Sequence, residues 1–197
     1  MTKLITWAQD AWGRALFRRG IVLALIVIAL DQATKLLIVH GIALPERPFG
    51  RIEISGIFDL TYTENRGVSF GLFAGGMTSR VLLSALSLVV SGFIIRWLST
   101  IVRPVTAIGA GLILGGALGN LIDRVAYGYV VDFLDFSGLH FPYIFNVADA
   151  AINVGVAFLL YDTLILERRE GVKERKGPEG FSGAASQASP DNTQEGQ

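Results

Sequence analysis

Two phrases in this chain pair an amide with an acid three residues further on. They are Asn120 and Asp123 in GNLIDR, and Asn146 and Asp149 in FNVADAAINVG. Both border long apolar runs, where an ionisable group is costly and marks a candidate functional site. Asp31, Asp132 and Asp135 lie in similar company. Residues three apart share a helix face, so each asparagine can donate to its own acid or to its counterpart on a neighbouring helix. Aspartates gathered in a low dielectric do not all ionise, and a pair then holds one proton in common. Such a pair can activate water and protonate a leaving amine, which is general acid–base hydrolysis.

Composition removes several competing chemistries. The 197 residues include no cysteine, which excludes disulfides, thiol nucleophiles and cysteine metal sites together. The two histidines, His40 and His140, belong to no HExxH pattern. GVSFG only resembles the GxSxG elbow of serine hydrolases. Neither a metal nor a cofactor is expected. Basic and acidic residues balance at 17 each, so no nucleic-acid partner is expected.

The elements that must position these acids are membrane spans. Hydrophobic residues make up 51% of the chain, and the mean hydropathy is +0.50. Four apolar runs, at about 21–39, 81–98, 105–122 and 147–166, approach the ~20 residues that cross a bilayer. The first continues past Asp31 and Lys35 with no clear A-x-A site after it, and is read as an uncleaved span. Basic residues crowd 1–20, the turn between spans two and three, and the stretch after Leu166, which places those regions and both termini in the cytoplasm. The connections 40–80 and 123–146 then lie outside. Residues 5–19, with Trp7, Trp12 and Phe17, suggest an interfacial helix. Residues 167–197 read as a basic, then disordered, tail.

Period-two alternation at Ile52 and Ile54, and again at Phe58, Leu60 and Tyr62, predicts strands in the first outer connection. A small sheet is expected within about 41–77, ending in NRGVSFG, where Gly67 and Gly71 permit tight turns. In span three, Gly111, Gly115 and Gly119 form a stripe that lets another helix approach closely. The fold class is therefore mainly α and polytopic, with four transmembrane helices and a small extracytoplasmic sheet.

Local chemistry ranks the acids. Asp149 has small, apolar neighbours, whereas Asp123 adjoins Arg124 at a helix end expected to be wet. Asp132 sits among Val130, Val131 and Phe133 after Gly128, and Asp135 is close by. Asp132 with Asp149 is favoured over Asp123 with Asp149. Asp31 and Lys35, four apart, share a helix face as an internal ion pair, or else Lys35 meets a lipid phosphate or a substrate carbonyl. The rival readings of these acids are proton relays of a transporter and simple helix glue.

The blocks DQATK (31–35), NRGVSF (65–70), GGALGNLIDR (115–124), GYVVDF (128–133) and FNVADAAI (145–152) resemble the lipoprotein signal peptidase, or signal peptidase II, family. The resemblance spans roughly residues 21–166, in the family's order. It implies a bacterial inner-membrane aspartyl endopeptidase with an outer β-cradle. The implied substrates are prolipoproteins carrying diacylglyceryl-cysteine, cut just before that cysteine, with membrane phospholipid as a further partner. The family's catalytic pair falls on Asp132 and Asp149. Its orienting or scaffold positions fall on Asp31, Lys35, Asn65, Gly67, Asn120, Asp123, Arg124, Asn146 and Ala148. Sensitivity to globomycin-type inhibitors is also implied.

Overall fold

The computed structural model describes residues 2–67 and 76–166. The expectations for Val68–Phe70, Gly71 and the tail from residue 167 lie outside the described residues. Among the described residues there are five α-helices: α1 (Thr2–Gly13), α2 (Ala15–Leu36), α3 (Met77–Leu98), α4 (Pro104–Ala126) and α5 (Val147–Tyr161). Four strands accompany them: β1 (Arg51–Glu53), β2 (Asp59–Asn65), β3 (Val130–Asp135) and β4 (Ile144–Phe145). Helices α2 to α5, two of them prolonged by short π turns, are long and apolar enough to cross a membrane. Large apolar side chains such as Leu25, Val89, Phe93 and Leu160 are exposed along them, as a lipid-facing surface requires.

Helix α4 is the axis of the bundle because two of its faces carry glycine. A Cβ at Gly111 or Gly115 would lie 2.7 Å from the backbone oxygen of Gly20 or from Val27 Cβ on α2. The expected stripe therefore packs on α2. A second, unforeseen face packs on α5: a Cβ at Gly116 would sit 2.3 Å from the Ala148 carbonyl oxygen, and one at Gly109 2.9 Å from that of Gly155. Gly116→Leu is expected to force α4 and α5 apart and lower the thermal midpoint of the detergent-solubilised protein. Gly92→Leu, where nothing lies within 4 Å, should leave it unchanged.

The sheet is antiparallel in the order β1-β2-β3-β4. Half of it comes from the second connection, where alternation gave no strand signal. Val130, Val131, Asp132 and Phe133 are all buried, so β3 is covered on both faces and shows no alternation. Register between β2 and β3 shifts between Leu60 and Thr63, placing Thr63 opposite Asp132 and Asp59 opposite Asp135. The irregularity lies beside Asp132, and bulges of this kind re-aim nearby side chains. Ile38 and Leu44, just beyond α2, pack under Val131 and Phe133 and seat the sheet on the helix ends.

At the opposite end of the bundle, the residues read as one interfacial helix break at Arg14 into α1 and α2. Arg14 takes extended backbone angles there, after the helix-weakening Gly13. Ala11 and Phe17 are buried against Leu98, Ile101 and Ala107, while Trp12 stays exposed. A buried acid without a signal in the apolar pattern, Asp162, accepts from Thr106 Oγ1 at 2.6 Å and faces Arg103, tying the end of α5 to the start of α4.

Candidate active site

The acid that opens α5 has a local task before any chemical one. Asn146 caps the helix: its side chain accepts from the Asp149 backbone N–H at 2.9 Å, and Asp149 Oδ2 accepts from the Asn146 backbone N–H at 3.4 Å. This is a capping box, worth about 1 kcal/mol to a helix start. The other amide-acid phrase, of equal spacing, behaves differently. Asn120 leaves its own acid and donates from Nδ2 to Asp149 Oδ1 at 2.7 Å. Asn146 Nδ2 is shared among Asp132 Oδ1 at 2.7 Å, Asn120 Oδ1 at 3.1 Å and the Val131 carbonyl at 3.3 Å. The two asparagines thus bridge Asp132 and Asp149, which are far apart in the chain.

Asp132 receives its second bond, at 3.0 Å, from Asn65 Nδ2. Asn65 is itself turned into place by the Gly67 N–H, which donates to its Oδ1 at 2.9 Å. Gly67 has φ +77, a backbone conformation that favours glycine, whereas a Cβ there would meet only the tip of the Leu83 side chain. Asp132 is 2% exposed. Burial, and then the charge of Asp149, push its carboxyl up to about 7, against the hydrogen bonds from Asn65 and Asn146 and the charge of Lys35. Asp149 is only half-buried and lines an apolar cavity of about 730 Å³ with Phe136, Phe141 and Phe145. One acid is sealed, with its carboxyl pushed up by burial, and the other opens on a space large enough for a peptide segment.

Below the pair lies a buried charge cluster. Lys35 Nζ contacts Asp31 Oδ2 at 2.7 Å, Asp123 Oδ2 at 2.8 Å and Asn120 Oδ1 at 3.3 Å. Lys35 is thus a buried ammonium held by two carboxylates and an amide oxygen, the arrangement of the internal ion pair. Asp123 is 1% exposed, which corrects the expectation of a wet helix end, and its ion-pair partner is Lys35 rather than Arg124. Arg124 is half-buried and donates to the Asn120 carbonyl at 3.5 Å, with its charge felt by Asp149, Asp132 and Asp123.

Carboxylate oxygens of this cluster also reach the backbone beside each acid of the pair. Asp31 Oδ1 accepts from the Ala148 N–H at 3.0 Å, next to Asp149. Asp123 Oδ2 accepts from the Val131 N–H at 3.1 Å, next to Asp132. Gln32, absent from the sequence reading of the site, donates to both carboxylates, at 3.1 Å to Asp31 and 2.9 Å to Asp123. Its signal was available: positions i, i+1 and i+4 lie within about 100° of a helix circumference, so Gln32 faces α4 with its neighbours. Asp135 stands apart, three residues from Asp132 along β3. It accepts from Thr61 Oγ1 at 2.7 Å and from the Ser137 N–H at 2.9 Å.

Fold and site together define a class: a multi-pass membrane protein whose helix ends and small sheet converge on two linked aspartates. Comparison with known proteins gives the family. Residues 23–165 match the family model described as signal peptidase (SPase) II. A lipoprotein signal peptidase of Rhodopseudomonas palustris (strain TIE-1) is 45% identical over 154 residues, covering 75% of this chain and 93% of that protein. One from Caulobacter vibrioides is 45% identical over 149 residues, covering 75% and 88%. A solved bacterial membrane enzyme superposes with a TM-score of 0.63 at 28% identity, over 75% of this chain and 93% of the other. A second, at 24% identity, shares the fold with a TM-score of 0.66, over 82% and 94%. The chain belongs to the signal peptidase II family, and so is a membrane peptidase.

Proposed function

We propose that Asp132 and Asp149 are the catalytic pair of an aspartic endopeptidase that removes the signal peptide from diacylglyceryl-modified prolipoproteins, cutting just before the lipidated cysteine. The observation that carries this reading is the amide bridge through Asn120 and Asn146, which joins a sealed acid to one open on a cavity. The pair holds one proton. A water placed between the carboxyls loses a proton to the ionised one as its oxygen attacks the scissile carbonyl carbon. The protonated carboxyl donates a hydrogen bond to the developing oxyanion. A proton then passes to the leaving nitrogen as the C–N bond breaks, and the pair is again left with one proton. Because the two groups titrate as a unit, base and acid are roles of the pair.

Asp31, Lys35 and Asp123 act as a scaffold, fixing the backbone on which each catalytic acid stands. Asn65 and Gly67 aim Asp132, and Arg124 supplies positive charge near the substrate. Ala148 keeps α5 against Gly116 while lending its N–H to Asp31. The peptidase unit corresponds to residues 21–166, between a segment 1–20 and the tail 167–197. Basic residues at the termini and at the α3–α4 turn support cytoplasmic termini in the bacterial inner membrane, with the site at the extracytoplasmic face.

Purified protein incubated with a diacylglyceryl lipobox peptide is expected to release the segment preceding the cysteine, while the unlipidated peptide stays intact. Absence of a cut product would remove the proposal. Among the described residues no three His, Asp or Glu side chains form a metal-binding group, and chelator should leave the rate unchanged. The proton on the pair also sets an alkaline limit. Burial and the Asp149 charge push Asp132 up to about 7, so the pair keeps its proton below that value and loses it above, and kcat/KM should fall as pH rises through it. A rate still rising at pH 8 to 9, roughly one to two units beyond it, would contradict the assignment.

A further inference from the structure

Asn153 is the polar residue of α5 that nothing so far employs. It lies within a membrane-spanning segment, exposed, and among the described residues its amide finds no hydrogen-bond partner. A carboxamide facing hydrocarbon is costly, so it calls for an occupant. Asn153 is four residues after Asp149 and lines the same cavity, whose walls are otherwise formed by apolar residues such as Phe136, Phe145 and Ile152 together with the phenol ring of Tyr143. Among the described residues, Asp149 and Asn153 are the only carboxyl and amide side chains on that wall.

We infer that Asn153 is a specificity-determining residue that pairs with a peptide unit of the substrate on the signal-peptide side of the scissile bond. This rests on the peptidase reading above. A segment must be extended to be cut, which frees its backbone N–H and C=O where no water can satisfy them. A carboxamide offers one donor group and one acceptor and so matches a peptide unit reciprocally, whereas a lipid ester presents acceptors only. Four helix positions advance about 6 Å into the membrane, which extended chain covers in about two residues. The partner is therefore the peptide unit about two residues before the cut. The signal peptide approaches from within the bilayer, the direction in which Asn153 lies from Asp149.

The test is a double-substitution cycle on the full chain in lipid vesicles, using the lipidated lipobox peptide and a depsipeptide in which ester oxygen replaces the N–H at that position. Asn153→Leu is expected to raise KM about 5- to 10-fold on the all-amide peptide, with kcat changed less. The depsipeptide should cost the wild type a similar factor and cost Asn153→Leu almost nothing more. Asn153→Gln should recover part of the loss. Equal depsipeptide penalties in wild type and Asn153→Leu would overturn the inference. So would coupling that appears instead with a dialkyl ether lipid, since the occupant would then be the acyl ester. A wild type that cuts no lipidated peptide removes the peptidase reading itself, and this inference with it.

Discussion

Asp149→Asn and Asp132→Asn are each expected to yield a folded, membrane-inserted protein that cleaves the lipidated lipobox peptide of the proposed reaction about 100- to 10,000-fold more slowly than the wild type. Size and shape are preserved, so the loss isolates the charge and the proton. The folding cost is modest. Asp149 accepts one bond on each carboxyl oxygen, from Asn120 and from the Asn146 backbone. A carboxamide can keep one of these and turns the other into two facing donors. Such a mismatch costs about 1 to 3 kcal/mol, less than the ~5 to 15 kcal/mol that holds a domain folded. Helical circular dichroism and thermal midpoints read the fold, and gel analysis of the lipidated peptide reads the cut. Wild-type turnover by either variant would refute the dyad.

The largest loss of stability is expected from Lys35→Met. Lys35 is 4% exposed, and its ammonium is paired with two carboxylates that are themselves buried. Removing it leaves Asp31 and Asp123 as uncompensated charges, at a cost of about 3 to 5 kcal/mol. Cleavage should fall too, because those carboxylates anchor the N–H groups of Ala148 and Val131, adjoining the two acids proposed as the catalytic pair. Adding Asp31→Asn and Asp123→Asn to Lys35→Met should restore most of the thermal midpoint, since three groups of matching shape and no net charge then fill the space. A midpoint for Lys35→Met equal to that of the wild type would show that the cluster does not hold the site together.

Four spans and the sheet's first hairpin were legible because run length and period-two alternation report lipid and half-buried strands directly. β3 was not, because a strand covered on both faces loses alternation; Val130, Val131 and Phe133 read as apolar sequence of no declared type. The spacing of Asn120–Asp123 and Asn146–Asp149 correctly announced interacting side chains, yet concealed their different tasks. One phrase builds a helix cap and the other spans the gap between helices. Asp123 was judged by its neighbour in sequence, Arg124, when its partner in space is Lys35, 88 residues away by number. The anchoring of Val131 and Ala148 uses backbone N–H groups, which carry no residue-type signal at all. The break at Arg14 and the ion pair at Asp162 likewise depend on what packs beside them.

The shared proton is measured most directly by infrared difference spectroscopy of the purified protein across a pH titration. One protonated carboxyl stretch should be present at mildly acid pH and disappear as pH rises through about 7, the value to which burial and Asp149 push Asp132. It should be missing in Asp132→Asn and move to lower pH in Asp149→Asn, where the neighbouring charge is gone. Two carboxylates ionised throughout, or a band whose midpoint ignores replacement of the other acid, would contradict a proton held in common.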